Sequence, residues 1–306
     1  MQCVPFELTS LDAYPTRSSW DAVATEIVGT MLDRWRLSAG EPYVGGEAGA
    51  VLRVETEDGS PAVLKVGFPH PEAEWEAVAL DAWAPQLAPR VLRQDPWTWS
   101  MLLERVESGI PLARAPLPAK DAIAVGAELH ACLRDAQIPE GVPSLASVLH
   151  AYAHDARARF AEQTAAYESL GVGGLVTTGI DALAELADSP SDRVLLHGDL
   201  NPGNILRSGD QWLAIDPKPM HGDPAFDLWP LLAQLGSPWT RPDPSAYLHE
   251  NLDHLAVLTS YDAERIARWA YARTALTVSW HLSDGDERAA RSAARELRAW
   301  TSVIGA

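Results

Sequence analysis

His197-Gly198-Asp199-Leu200-Asn201-Pro202-Gly203-Asn204, continued by Ile215-Asp216-Pro217, sets three polar side chains among residues that otherwise read as buried strand. The apolar run Val194-Leu195-Leu196 leads into it and Ile205-Leu206 leads out. A turn at Ser208-Gly209-Asp210 then returns the chain into Trp212-Leu213-Ala214-Ile215. The stretch reads strand, loop, short strand, turn, short strand, carboxylate. That order predicts Asp199, Asn204 and Asp216 at the mouth of one cleft.

Such a trio suits phosphoryl transfer from a nucleotide. A catalytic loop for that chemistry has the form H-x-D-x-x-x-x-N, with a further Asp beyond a hairpin. His197, Asp199 and Asn204 have this spacing, and Asp216 takes the place of the later Asp. In this reading Asp199 orients an acceptor hydroxyl and takes its proton, with His197 as structural support. Asn204 and Asp216 offer hard oxygen ligands to Mg²⁺.

The run His-Gly-Asp-Leu-x-Pro-Gly-Asn resembles the aminoglycoside phosphotransferase and choline kinase superfamily, with Gly198 where protein kinases carry Arg. Two later stretches are more specific. Trp212-Leu213-Ala214-Ile215-Asp216-Pro217-Lys218-Pro219 and Gly222-Asp223-Pro224-Ala225-Phe226-Asp227-Leu228-Trp229-Pro230 are similar to the streptomycin 6-phosphotransferase and hydroxyurea phosphotransferase family. The likeness runs from about Met31 to the C-terminus. Gly198 and Asn201 depart from the His-Trp-Asp-Leu-His often found in that family. The resemblance implies an α+β, bilobal, protein-kinase-like fold. Residues 1–105 would form a nucleotide-binding lobe, an antiparallel sheet with a helix, with 1–18 as a lead-in segment. Residues 106–306 would form a mainly helical catalytic and substrate-binding lobe. It also implies an ATP- and Mg²⁺-dependent O-phosphotransferase acting on a small-molecule hydroxyl, first of all the 6-hydroxyl of streptomycin. Hydroxyurea, another hydroxylated metabolite or an amino sugar is the alternative acceptor. A non-catalytic nucleotide-binding protein of the same fold is the alternative of a different class.

Upstream of the loop, Val23, Ile27, Met31, Leu32 and Trp35 recur at helical spacing from Trp20 to Leu37, and Gly40 is the expected stop. The segment from Tyr43 to Val54 reads strand, glycine-containing turn, strand; by resemblance Gly46 and Gly49 lie over nucleotide phosphates. Ala62-Val63-Leu64-Lys65-Val66 is an apolar strand carrying one Lys. A buried Lys is costly unless paired. Phosphates and a Glu on the following helix, expected from about Pro71 to Trp83, would supply the partners. Of Glu72, Glu74 and Glu76, the resemblance implies the last, since the family's Glu sits four residues before a helix Leu, here Leu80; Glu76 also lies one turn before that Leu on the inward face, with Glu74 next in order. Ser100 to Val106 reads as a strand leaving the core at Glu104. By resemblance the backbone of Glu104 and Val106 meets adenine, with Met101 behind it.

Downstream, helices are expected from Pro118 through Leu133 with His130 structural, over 144–170 and over 175–187. More follow from Leu248 to Leu258, from Asp262 through Leu282, and from the acidic break at 284–287 to Trp300. By resemblance Asp227 accepts hydrogen bonds from the backbone of the 197–204 loop; Asp223 is the other candidate for that task, or a helix cap. Trp280, Asp284, Asp286 and Glu287 are the candidates for the acceptor site.

Composition bounds the rest. The chain has 306 residues, 47% hydrophobic and 22% charged, which suits a globular protein with a sizeable core. With 24 basic against 42 acidic residues the net charge is −18, which argues against a nucleic-acid partner and is compatible with a cationic small-molecule substrate, surface solubility being the other account of the acidic residues. Cys3 and Cys132 make neither a disulfide framework nor a metal site. The sequence shows no apolar run of membrane-spanning length and no basic-then-apolar leader, so no membrane partner and a cytoplasmic location are expected.

Overall fold

The computed structural model describes residues 17–43 and 49–305. The chain divides into two compact units. The first is Met1–Ile110, of which 17–43 and 49–110 are described, with Leu206–Pro219; the second is Pro111–Ile205 with Met220–Ala306. The sequence reading draws a single break after Arg105. The packing instead divides the chain at Ile110 and returns the hairpin carrying Asp216 to the first unit.

In the first unit, helix α1 (Arg17–Trp35) buries Trp20, Ala24, Ile27, Met31 and Trp35 on one face. They pack on Val54, Ala62, Leu64, Val66 and Leu102 of an antiparallel sheet. Each large side chain so buried contributes about 1.5–3 kcal/mol. The sheet comprises β1 (Ser38–Pro42), β2 (Gly49–Glu55), β3 (Pro61–Gly67), β4 (Val91–Asp95) and β5 (Ser100–Glu104), in the order β1-β2-β3-β5-β4. Because side chains alternate across a strand, Ala62, Leu64 and Val66 face α1 while Lys65 points to the other face. There Lys65 is flanked in register by Val51 of β2 and Met101 of β5. Helix α2 (Glu76–Trp83) lies between β3 and β4 in sequence. A second sheet, β6-β8-β9, is built from β6 (Ser108–Pro111), β8 (Ile205–Ser208) and β9 (Gln211–Ala214). It is tied to the rest of the unit by the Ala214 N–H, which donates to the Leu87 carbonyl at 2.7 Å.

The second unit is helical: α3 (Ala119–Leu133), α4 (Leu145–Ser169), α5 (Gly173–Asp188), α6 (Trp229–Gln234), α7 (Pro244–Thr259), α8 (Ala263–Ser283) and α9 (Glu287–Ile304). Helix α8 is its centre, packed by α4, α5, α6, α7 and α9 and burying Trp269, Tyr271, Leu276 and Val278. One two-stranded ribbon, β7 (Val194–Leu196) against β10 (Met220–Gly222), delivers the chain into the 197–204 loop. Among the described residues no helix is long and apolar enough to cross a membrane.

Several boundaries differ from the sequence reading. Helix α1 ends at Trp35, where Arg36 adopts a left-handed φ of 53° and the Leu37 N–H donates to the Leu32 carbonyl at 2.8 Å. Gly40 does not stop the helix; it lies within β1, whose residues are all exposed and so carry no apolar alternation. The helix expected from Pro71 is broken. Pro71–Ala73 is a single 3₁₀ turn, and Trp75 at φ −100°, ψ 4° separates it from α2. Over 144–170, where the sequence reads as one or two helices, residues 145–169 form one, kinked at Gln163.

Candidate active site

The residues singled out from sequence fall into two sets, one in each unit. In the first unit Lys65, Glu76 and Asp216 meet. Lys65 Nζ donates to Oε1 of Glu76 at 2.5 Å and to Oδ1 of Asp216. Lys65 and Glu76 are buried, whereas the Asp216 side chain is 35% exposed. β3 puts Lys65 on the face away from α1, and the first turn of α2 puts Glu76 against it. Burial works against the ammonium, but the charges of Glu76 and Asp216 outweigh it and hold Lys65 above its ordinary pKa. Glu74 is exposed, and Glu76 takes the pairing. Asp216 itself has a left-handed φ of 57°, a conformation an L-residue adopts at a cost of about 1 kcal/mol.

Gly49 opens β2 at φ 152°, opposite Gly67. A Cβ there would lie 2.2 Å from the Val66 carbonyl oxygen, so only glycine fits this closure of the β2–β3 pair. Gly46 lies outside the described residues. Met101 is buried beside Lys65. Glu104 ends β5, its N–H committed to the Arg90 carbonyl at 2.9 Å; Val106 follows, half-buried.

In the second unit the 197–204 loop is held by side chains at its start, middle and end. Asp227, in a 3₁₀ turn (Pro224–Leu228), accepts the N–H of His197 at 2.7 Å and that of Gly198 at 2.9 Å, one on each carboxylate oxygen. Gly198 turns the chain with φ 79°. His197 is buried, and its Nδ1 accepts the Asp199 N–H at 3.3 Å, which places the ring proton on Nε2. Asn201 bridges the Asp199 carboxylate and the Gly203 N–H. Asn204 donates its amide N–H to the Asp199 carbonyl at 3.0 Å. Burial pushes the Asp227 carboxyl up to about 7, against the opposing pull of the two backbone N–H groups and Arg273.

The two acidic candidates near this loop have separate tasks. Asp223, fully buried, caps the 3₁₀ turn through the Ala225 N–H at 3.1 Å. It also accepts from Ser191, Arg265 and the Trp269 indole. Asp227 alone of the two holds the loop. His130 is buried, its Nε2 3.0 Å from the Pro224 carbonyl, and burial lowers its pKa to about 4.

The acceptor-site candidates lie around the junction of α8 and α9, each with local partners or open to solvent. Trp280 stacks edge-on with Tyr152 at 5.6 Å. Asp284 is the exposed C-cap of α8, and Asp286 caps α9 through the Ala289 N–H. Glu287 pairs with Arg291 at 3.5 Å in a groove of about 710 Å³ that also carries Arg288, Arg295 and Arg298, a setting that favours anions. The bridging role of Asn201 and the Arg265–Asp223 pair were not read from sequence. Arg265 follows an acidic N-cap like many surface arginines, and nothing local marks its partner.

In the first unit Asp216 brings a partly exposed carboxylate; in the second, the Asn204 amide nitrogen is fixed on a carbonyl, which leaves its amide oxygen as the atom able to bind a hard cation. Among the described residues no three His, Cys, Asp or Glu side chains cluster as a metal cage. Mg²⁺ needs none, since it retains waters and substrate phosphates as ligands.

Comparison with known proteins agrees with the fold. The sequence profile of the family described as "Aminoglycoside/hydroxyurea antibiotic resistance kinase" matches residues 34–285. A streptomycin 6-kinase of Streptomyces glaucescens is 34% identical over 92% of this chain and 91% of its own. A hydroxyurea phosphotransferase of Kitasatospora aureofaciens is 36% identical over 85% of this chain and 73% of its own. Among solved structures, a choline kinase from Streptococcus pneumoniae superposes with a TM-score of 0.61 at 18% identity, covering 93% of this chain and 99% of that one. At that identity the likeness is one of fold: the bilobal, kinase-like α+β architecture.

Proposed function

The chain belongs to the aminoglycoside/hydroxyurea antibiotic resistance kinase family, an ATP-binding group of phosphotransferases, and from that premise we propose that it phosphorylates a hydroxyl of a cationic aminoglycoside, streptomycin at its 6-hydroxyl first. One observation carries the reading: Asp199 is carried on a loop whose backbone is fixed by Asp227, Asn201 and Asn204, as a positioned base requires.

In this reading Asp199 orients the acceptor hydroxyl and receives its proton as the oxygen attacks the γ-phosphorus. Lys65, fixed by Glu76, neutralises nucleotide phosphate charge from β3. Gly49 keeps the β2 backbone free of a side chain where the phosphates are covered. Glu104 and Val106 present backbone groups to the adenine, with Met101 beneath. Asn204 and Asp216 are the residues that would hold Mg²⁺, which would supply positive charge against the charge that develops on the transferred phosphate. A net charge of −18 favours a guanidinium-bearing acceptor over an anionic one. Hydroxyurea is the second reading, favoured by the likeness to the Kitasatospora aureofaciens phosphotransferase.

The test is ADP release from ATP–Mg²⁺ across streptomycin, other aminoglycosides, hydroxyurea and amino sugars, for the wild type and Asp199→Ala. Stimulation by streptomycin, lost in the variant while nucleotide still binds, supports the assignment. Activity confined to another member moves the acceptor and keeps the chemistry. Undiminished turnover by Asp199→Ala removes the base.

A further inference from the structure

We propose that Asn201 is a positioning residue for Asp199, setting the direction of its carboxylate; this rests on the phosphotransferase reading above. The side-chain amide has a donor end and an acceptor end. Its Oδ1 accepts the Gly203 N–H at 2.8 Å, and its Nδ2 donates to Oδ1 of Asp199 at 3.0 Å. A backbone N–H on one side and a carboxylate on the other admit only this orientation of the amide. The reverse would oppose two donors at Gly203 and two acceptors at Asp199.

The backbone repeats the link. The Asn201 N–H donates to the Asp199 carbonyl at 2.8 Å, and the Asn201 carbonyl accepts the Asn204 N–H at 2.9 Å. The Asn204 side chain reaches the same Asp199 carbonyl. Gly203 is fitted to the arrangement, since a Cβ there would stand 2.9 Å from Asn201 Oδ1. One side chain therefore couples the base, the turn and the segment bearing the proposed metal ligand.

Two roles for Asn201 make opposite forecasts. A residue that only builds the turn needs an oxygen for the Gly203 N–H, and Asp supplies one at nearly the same volume. A residue that positions Asp199 needs the N–H donor, which Asp lacks; it would set a second carboxylate against the first. His keeps one donor and one acceptor nitrogen.

The experiment is steady-state kinetics of the wild type, N201D, N201A and N201H with ATP–Mg²⁺ and the acceptor that the wild type uses. A misdirected base costs on the order of 10–100-fold in rate. N201D and N201A should lose kcat by that factor with both KM values within about threefold, and N201H should recover most of it. N201D turning over within about threefold of the wild type, or a loss confined to KM, overturns the proposal. A second readout needs no acceptor: denaturant unfolding of N201D, D199A and the double variant. N201D should destabilise the wild type more than it destabilises D199A, and additive changes overturn the contact. A wild type silent on every acceptor overturns the phosphotransferase reading instead, and the unfolding cycle tells that failure from a missing Asn201–Asp199 bond.

Discussion

Replacing Asp227 by Asn isolates the electrostatics of the group that fixes the start of the 197–204 loop. The carboxyl is buried and its pKa stands at about 7 against an ordinary 3.8. A carboxyl whose pKa is raised by folding binds its proton more tightly in the folded chain. Its contribution to stability is therefore complete below the ordinary value and is lost as the pH rises through about 7. About 3 pH units at ~1.4 kcal/mol each give about 4 kcal/mol in full, of which about 2.5 kcal/mol falls between pH 5 and 8. Asn keeps the shape and does not titrate, so it carries none of this slope. It also accepts only one of the two N–H groups and turns its NH₂ on the other, a constant loss of about 1–3 kcal/mol. The assay is urea unfolding of both proteins at steps from pH 5 to 8, plotting wild type minus variant. The difference should fall with rising pH, and subtraction cancels every group the proteins share. A flat or rising difference would refute the reasoning, by showing that the two N–H donors and Arg273 outweigh burial and keep Asp227 ionised throughout.

Lys65→Met strands Glu76 beside Asp216 without a cation and should destabilise the first unit by about 3–5 kcal/mol. Adding Glu76→Gln should return part of that loss without restoring nucleotide binding, as read by thermal shift with and without ATP–Mg²⁺. Gly49→Ala forces a Cβ onto the Val66 carbonyl and should cost at least about 2 kcal/mol in chemical denaturation, more than Gly59→Ala, where no atom stands in the way and only the left-handed φ of 80° costs about 1 kcal/mol. His130 is held neutral by burial with a pKa of about 4. Its contribution is complete above pH 6.5 and drains away as the pH falls toward 4, by about 3 kcal/mol; a His130→Gln variant should lack that acid slope in unfolding titrations.

What could be read from sequence follows from what burial demands. A lysine in the apolar run of β3 is costly unpaired, which calls for a nearby acid; the family's spacing before a helix Leu, with the inward face of the helix in support, points to Glu76, which is the residue in contact. Polar residues in apolar segments announce a partner. Segments without an apolar period announce nothing: Ser-Ala-Gly-Glu-Pro forms β1 while wholly exposed, and from sequence its glycine reads as a helix stop.

The division of labour between Asp223 and Asp227 shows where the limit lies. Both stand in one apolar stretch, four residues apart, and either could serve the loop by residue type. What separates them is the far end of each contact. Arg265 and Trp269, 42 and 46 residues along the chain, converge on Asp223, while the loop 29 and 30 residues earlier converges on Asp227. Asn201 is opaque for the same reason, since an amide in a turn has no local feature that says which way its N–H points. The loop lacks regular backbone pairing, so its geometry is carried by acceptors and donors on side chains. The residues that fix the loop around Asp199 are therefore those whose partners only the folded chain reveals.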